Sequence, residues 1–489
     1  GGQRMKWVFL SLYLAAIVVI AVISSRKIKS LDDYHLGGRR MGPWLSAFAY
    51  GTTYFSAVIF VGYAGKLGWS FGTASTWIGI GNALIGSALA WMVLGNRTRV
   101  MTQRLGATTM PEFFEKRFES RPLKIAVALV IFVFLVPYSA SVYQGLGYLF
   151  EATFGLPFEL CMVILAAFTL IAVFLGGYLG SALTDVVQGV IMIVGIILMM
   201  FFLFGKMGGV GAALDQLASI DESLVSPLGA DPKNLLWMVC LTSFGVWGLP
   251  QMVHKFYAIK DARSVRIGAV VSTAFALLIG GCAYFSGAFS RVVLGISDPA
   301  QVGGVDMLVP EMLFASMPDW MLGLILVLVL SASMSTLQSL VMVSSSAISI
   351  DLVKGVFRPE MSDRAVKNLM RGLCAAFVVL SLVVALSQVA EIVTLMSMSW
   401  GTVAGCILGP YLFGVLTKRT NKIGAACGFG AGLLVSVVLT AALGTAQSPF
   451  IGCMAMLASV VVTPAASLLA PRQEEALLNR AFARGSAAK

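Results

Sequence analysis

The sequence predicts an all-α polytopic membrane protein: one transmembrane domain over residues 1–489, built from thirteen spanning helices. Three observations carry this. Of the 489 residues 58% are hydrophobic and only 12% are charged, whereas a soluble domain carries about 25% charged residues. The mean hydropathy is +0.89. Apolar runs of membrane-spanning length, about 20 residues each, recur from end to end.

The first run, 7–24, is followed by RKIKS rather than a small-residue cleavage site, so it is expected to stay as a helix and not to leave as a signal peptide. Gly1 to Arg4, ahead of Met5, are expected to be foreign to the native chain, and the N-terminal helix is assigned to 5–24. Runs at 43–67, 71–94, 123–150, 157–175 and 181–204 come next. A second group occupies 234–254, 265–294, 320–353, 366–386 and 391–415, and two more runs, 423–443 and 450–469, close the series.

Charge gives an independent test of this division. With the N-terminus outside, the inner segments are 25–42, 95–124, 254–266, 350–371, 416–422 and the cytoplasmic tail 470–489. They hold all but six of the 34 Lys and Arg residues, the six being Arg4, Lys6, Lys66, Lys206, Lys233 and Arg291. Such asymmetry is the positive-inside rule, and a miscounted span would scramble it. The expected location is therefore the cell inner (plasma) membrane. The net charge of +11 follows from loops lying beside an anionic leaflet, so the bilayer, and not nucleic acid, is the expected partner.

All seven cysteines (161, 240, 282, 374, 406, 427 and 453) fall in or at the ends of spans, so no disulfide is expected. His35 and His254 belong to inner loops with no Cys or His partner nearby in sequence, so no metal site is expected of them.

Two spans are interrupted. The second reads PWLSAFAYGTTYFSAVIFVGYAG, with Gly51-Thr52-Thr53 at its midpoint; the seventh carries Gly245, Gly248 and Pro250 in close succession. Gly and Pro weaken a helix, and backbone groups freed within a bilayer must find ligands or a wet cavity. The breaks lie five helices apart, which is the signature of an inverted repeat with its site at the midplane. The repeats would be 43–204 and 234–415, and 423–469 would form two additional C-terminal helices.

The ninth span carries LSASMSTLQS at 330–339, in which Ala332, Ser335, Thr336 and Ser339 share one helical face. Such a face offers oxygen to a dehydrating hard cation; alternatively its hydroxyls bond back to helix carbonyls or pack against a neighbour. Asp185, near the start of the sixth span, is the clearest intramembrane ionisable residue, with Thr184 and Gln188 close enough to share its hydrogen bonding. It is read either as an ion ligand or as a tether near the cytoplasmic end. Glu391 is expected to cap the eleventh span, and Lys66 to snorkel outward from the second.

Four segments in order, DDYHLGGRRMGPW, TMPEFFEKRF, GGYLGSALTDVVQ and SASMSTLQSLVMVSSSAISIDL, resemble the sodium/solute symporters over about Asp33 to Arg419. The pattern comes nearest to the members that carry proline, with VPYSASVYQGLGYLFEATFG similar to their fourth span. The resemblance implies a leucine-transporter-like 5+5 core in spans 2 to 11 and Na⁺-coupled symport by alternating access. It assigns Na⁺ to the carbonyls of Thr52, Phe55 and Ala332 and the hydroxyls of Ser335 and Thr336. A second ion, or coupling, would involve Asp185 and Ser339; a further hydroxyl used by some members is replaced by Gln338, so one Na⁺ per cycle is expected. Solute positions carry over to Thr53, Tyr54, Ser56, Ala57, Tyr138, Thr242, Trp247 and Ser339.

This chain lacks the arginine near Tyr138 that the sialic-acid type uses. It has Tyr54 and Thr242 where the proline type has an aspartate and a tryptophan, and Val58 and Ile59 where the sugar type has Glu and Gln. A small, partly apolar solute is expected: an amino acid such as proline, or a monocarboxylate. Pantothenate, sialic acid or a sugar is the alternative. Trp77 and Trp400 either line the cavity or pack between helices. No nucleophile–base pair or metal-ligand set marks an enzyme; a channel would present a continuous pore, and a sensor a signalling domain after the last span. A functional monomer is expected.

Overall fold

The structure, a computed structural model, describes residues 2–483. Among them the architecture is helical, and the pairing of extended backbone is limited to an isolated parallel bridge between Met41 and Ile259. The long elements are α1 (Gly2–Ser25), α2 (Pro43–Tyr54), α3 (58–71), α4 (76–105), α5 (Arg121–Phe154), α6 (Phe158–Lys206), α7 (Pro232–Phe244) and α8 (Pro250–Tyr257). They continue as α9 (Ala262–Gly287), α10 (Asp319–Ser346), α11 (Asp363–Ser387), α12 (Ile392–Leu416), α13 (Lys422–Leu443) and α14 (Ser448–Leu469). Helices start where the sequence offers caps. Ser120, Asp231, Asp261, Ser362 and Asn421 each accept the amide of the third residue of the following helix, and Pro43, Pro232 and Pro250 occupy first-turn positions.

Among the described residues ten helices are long and apolar enough to cross a membrane, or up to eleven when α7 and α8, bent by 45°, count as one span. Helix length therefore does not establish the expected thirteen. The difference lies in two helical runs, Val58–Leu105 and Phe158–Lys206, of 48 and 49 residues. The sequence reading divides each in two, at places where Gly72 (φ +67°) and Gly177 (φ +54°) leave helical geometry.

Burial sorts the helices into layers. The hydrophobic windows of α12 and of Asp319–Phe357 are 89% buried, against 22% for α13 and 33% for α1 and α11. Hence α10 and α12 are central and the others face lipid. α10 packs on α1, α2, α5 and α6, which places the 330–339 face beside the first helix break. Small residues permit close approaches: a Cβ on Gly176 or Gly180 would lie 3.3 Å from Ala21 or Ser24 of α1.

Candidate ion and solute site

α2 ends at Tyr54, Phe55 is extended (φ −111°, ψ 124°), and the chain resumes as a wide-turned helix at 58–63. The expected break at Gly51-Thr52-Thr53 thus falls slightly later. Gly51 stays helical and serves packing instead, its missing Cβ leaving room for the Phe275 ring. In the seventh span α7 passes through a tight turn at Gly245–Gly248, Leu249 is extended (φ −88°, ψ 120°), and Pro250 starts α8. Ending α2 inside the protein leaves the carbonyls of its last turn, including Thr52, without intrahelical amides.

The α10 hydroxyls meet that end. Thr52 Oγ1 is 2.7 Å from Ser335 Oγ, Thr53 Oγ1 is 3.4 Å from Ser335 Oγ and 3.1 Å from Ser339 Oγ. Thr336 donates to the Thr53 carbonyl (3.0 Å) and the Ala332 carbonyl (3.2 Å). All are buried. A dense set of neutral oxygens with no apolar gap between two helices suits a hard cation that sheds water. Thr52, Ala332, Ser335 and Thr336 are brought together with Thr53 and Ser339.

Asp185 is fully buried and neither carboxylate oxygen has a hydrogen-bond partner. Thr184 and Gln188 do not supply one, contrary to the sequence expectation. Thr184 donates to Ser181 O (2.8 Å) and approaches Gln338 Oε1 (3.4 Å), while Gln188 donates to the Tyr13 hydroxyl (2.9 Å).

Most solute positions are engaged with protein. Tyr54 donates to the Thr242 carbonyl (2.5 Å), the Thr242 hydroxyl bonds back to Met238 O (2.8 Å), and the Trp247 indole donates to Ile85 O (3.0 Å). The amides at the break are also taken. Ala57 donates to Ser333 Oγ (2.9 Å) and Val58 to Ser56 Oγ (3.2 Å). Tyr138 is buried with its ring edge-on to Trp400, centroids 5.7 Å apart, and Tyr54 lies 6.2 Å from the same ring. The indole N–H of Trp400 has no partner. Trp77, in contrast, is exposed and donates to Pro227 O (2.8 Å), which removes it from the cavity.

Several features escape sequence reading. Lys255 is counted there with an inner loop, yet it is 2% exposed and bonded to Ser339. His35, which is buried, and His254, which is partly buried, lie far apart in sequence with rings 6.4 Å apart, because Met41 pairs with the backbone just past α8. Burial lowers the pKa of His35 in this loop. Lys66 pairs with Glu391 while staying partly exposed, and α12 is capped not by Glu391 but by Asp306, which accepts the Ile392 amide at 3.2 Å. On the opposite side Arg39 ties Thr102, Ala107 O and Tyr257 O together, and Arg117 binds Gly414 O and Thr417 O.

Two broken helices flanking a buried oxygen cluster give the architecture of a membrane transporter of the leucine-transporter fold. A solved structure titled as the substrate-bound outward-open state of a Na⁺-coupled sialic acid symporter matches with TM-score 0.81 at 18% identity, over 96% of this chain and 98% of that one. A nucleobase-cation-symport-1 family transporter in a closed conformation matches with TM-score 0.55 at 16% identity, over 92% and 97%. The model of the sodium:solute symporter family matches residues 34–432. The sodium/proline symporter of Escherichia coli K12 is 31% identical over 437 residues, 87% of this chain and 86% of that protein. The osmoregulated proline transporter OpuE of Bacillus subtilis is 28% identical, with 85% of each covered. The chain belongs to the sodium:solute symporter family. It is a polytopic membrane protein that couples solute movement to Na⁺.

Proposed function

We propose that this chain moves a small, partly apolar solute, an amino acid such as proline or else a monocarboxylate, together with one Na⁺, by alternating access. The observation that carries the reading is the convergence of Thr52, Thr53, Ala332, Ser335 and Thr336 oxygens at the end of α2. Na⁺ fits this cluster because its donors are uncharged carbonyls and hydroxyls, with Asp185 buried close by; Phe55 would add a carbonyl. Tyr54, Tyr138 and Trp400 form an aromatic wall suited to an apolar ring or chain, and the free Trp400 indole N–H supplies a donor. Several of the similar curated proteins are named as proline transporters, which supports an amino acid.

The topology proposed with this function keeps thirteen spans, with the N-terminus outside and the tail in the cytoplasm, and repeats at 43–204 and 234–415. Dividing the two long runs at Gly72 and Gly177 supports that count. The protein works as a monomer in the plasma membrane. The test is uptake of radiolabelled proline, other amino acids and monocarboxylates into proteoliposomes. One solute is expected to accumulate only with an inward Na⁺ gradient. Accumulation of the same solute that persists after the gradient is collapsed sinks the proposal.

A further inference from the structure

We infer that the Lys255 ammonium is a built-in cation of the ion site, supplying the positive charge that a second Na⁺ would otherwise bring to Asp185. This rests on the symport reading above and deepens it. Lys255 lies on α8, just past the second helix break. A lysine at a helix end ordinarily extends its ammonium to water, but this one is 2% exposed and turned inward. Its hydrogen bond goes to Ser339 Oγ at 2.8 Å, and its Nζ lies 5.1 Å from the centroid of the Tyr178 ring. Ser339 is in turn 3.1 Å from Thr53 Oγ1, which touches Ser335. Two hydroxyls therefore separate the ammonium from the oxygen cluster proposed to hold Na⁺.

The opposing charge is Asp185. A buried carboxylate without a partner is costly, by several kcal/mol, unless a cation or a proton neutralises it. Both its oxygens are free, and Ser181, one helical turn before it, lines the same small cavity as Lys255 and Ser339. An ammonium has three hydrogens to donate; one is on Ser339, which leaves two for the carboxylate when the halves of the broken span rearrange. A second Na⁺ at the same place would lack the hydroxyl replaced by Gln338, whose side chain meets Thr184 instead. It would also face a fixed like charge. Removing the lysine should then open the position.

Binding of radioactive Na⁺ to the purified protein, without solute, tests this. The wild type should bind one ion per transporter, Lys255→Met two, and Lys255→Met/Asp185→Asn one again, with Lys255→Arg behaving as wild type. Asp185→Asn alone leaves the ammonium unopposed beside the Na⁺ cluster and should raise half-saturating Na⁺ by roughly tenfold. One ion bound by Lys255→Met with ordinary affinity, or two bound by the wild type, overturns the inference. Should Lys255→Met fail to fold, unchanged Na⁺ affinity in Asp185→Asn overturns it by itself. A wild-type protein that binds no Na⁺ at all refutes instead the symport reading beneath it.

Discussion

Thr52 and Ser335, 283 residues apart in sequence, place their hydroxyl oxygens 2.7 Å from each other. The contact joins the end of a broken helix to the middle of one of the two most buried ones, so a cation bound between them would fix the relative position of α2 and α10. Such an ion favours one arrangement of the helices, and a solute that favours the same arrangement binds cooperatively with it, each raising the affinity of the other equally.

The first prediction follows. Ser335→Ala or Thr336→Ala removes one oxygen from the cluster while leaving helix packing nearly unchanged. Each is expected to raise half-saturating Na⁺ by about tenfold or more, the loss of one interaction with a charged group being worth about 1.5–3 kcal/mol. Thermal stability should change little. Uptake measured against Na⁺ concentration checks this, and normal sodium dependence in both variants places the ion elsewhere.

Stoichiometry is the second prediction. On the proposed site assignment Gln338 stands where a hydroxyl would complete a second site, and its carbonyl oxygen lies 3.4 Å from the Thr184 hydroxyl. The dependence of uptake on Na⁺ should have a Hill coefficient near unity. Two ions resolved by diffraction, one of them on Asp185, would contradict it.

Tyr138 gives the third. Its ring is held edge-on by Trp400, so removing the hydroxyl should not disturb packing. Tyr138→Phe is expected to weaken solute affinity by roughly fivefold to tenfold, the range of one hydrogen bond, with Na⁺ binding and melting temperature close to wild type. The amides of Ala57 and Val58 at the break are held by Ser333 and Ser56. That makes Trp400, whose indole N–H is free, the partner expected to act with it. Lower stability with unaltered affinity would make the tyrosine structural.

How far the sequence revealed this site depends on the kind of signal. The polar face at 332–339 was legible because helical periodicity is local, and the breaks because Gly and Pro announce them. The position of the first break was not, since Gly51 is present for the Phe275 ring and not for backbone freedom. Lys255 was hidden by its neighbours: KFYAIKDAR reads as a basic inner loop, and only the bend at Leu249 turns its first residue toward Ser339. Lys66 with Glu391 and His35 with His254 are pairings across the fold, which spacing along one chain does not encode.

Asp306 offers a prediction on the outer side, away from the ion cluster. It sits in the segment between α9 and α10, mostly buried, and its Oδ2 accepts the first amide of α12. Burial, reinforced by the nearby Glu391 carboxylate, holds its carboxyl up at about 6 despite the Ile392 N–H and Lys66, which act the other way. The folded protein thus takes up a proton more readily than the unfolded chain does. Stability from this group is fully present below the ordinary aspartate value of 3.8 and is lost as pH rises through about 6. Asp306→Asn keeps an oxygen for the Ile392 amide and removes the charge. Melting temperature in detergent, followed from about pH 4.5 to about pH 7.5, should therefore favour the variant increasingly as pH rises, by a few degrees at most. A difference between the two proteins that stays constant across that range would mean that Asp306 does not titrate in the fold as its surroundings require.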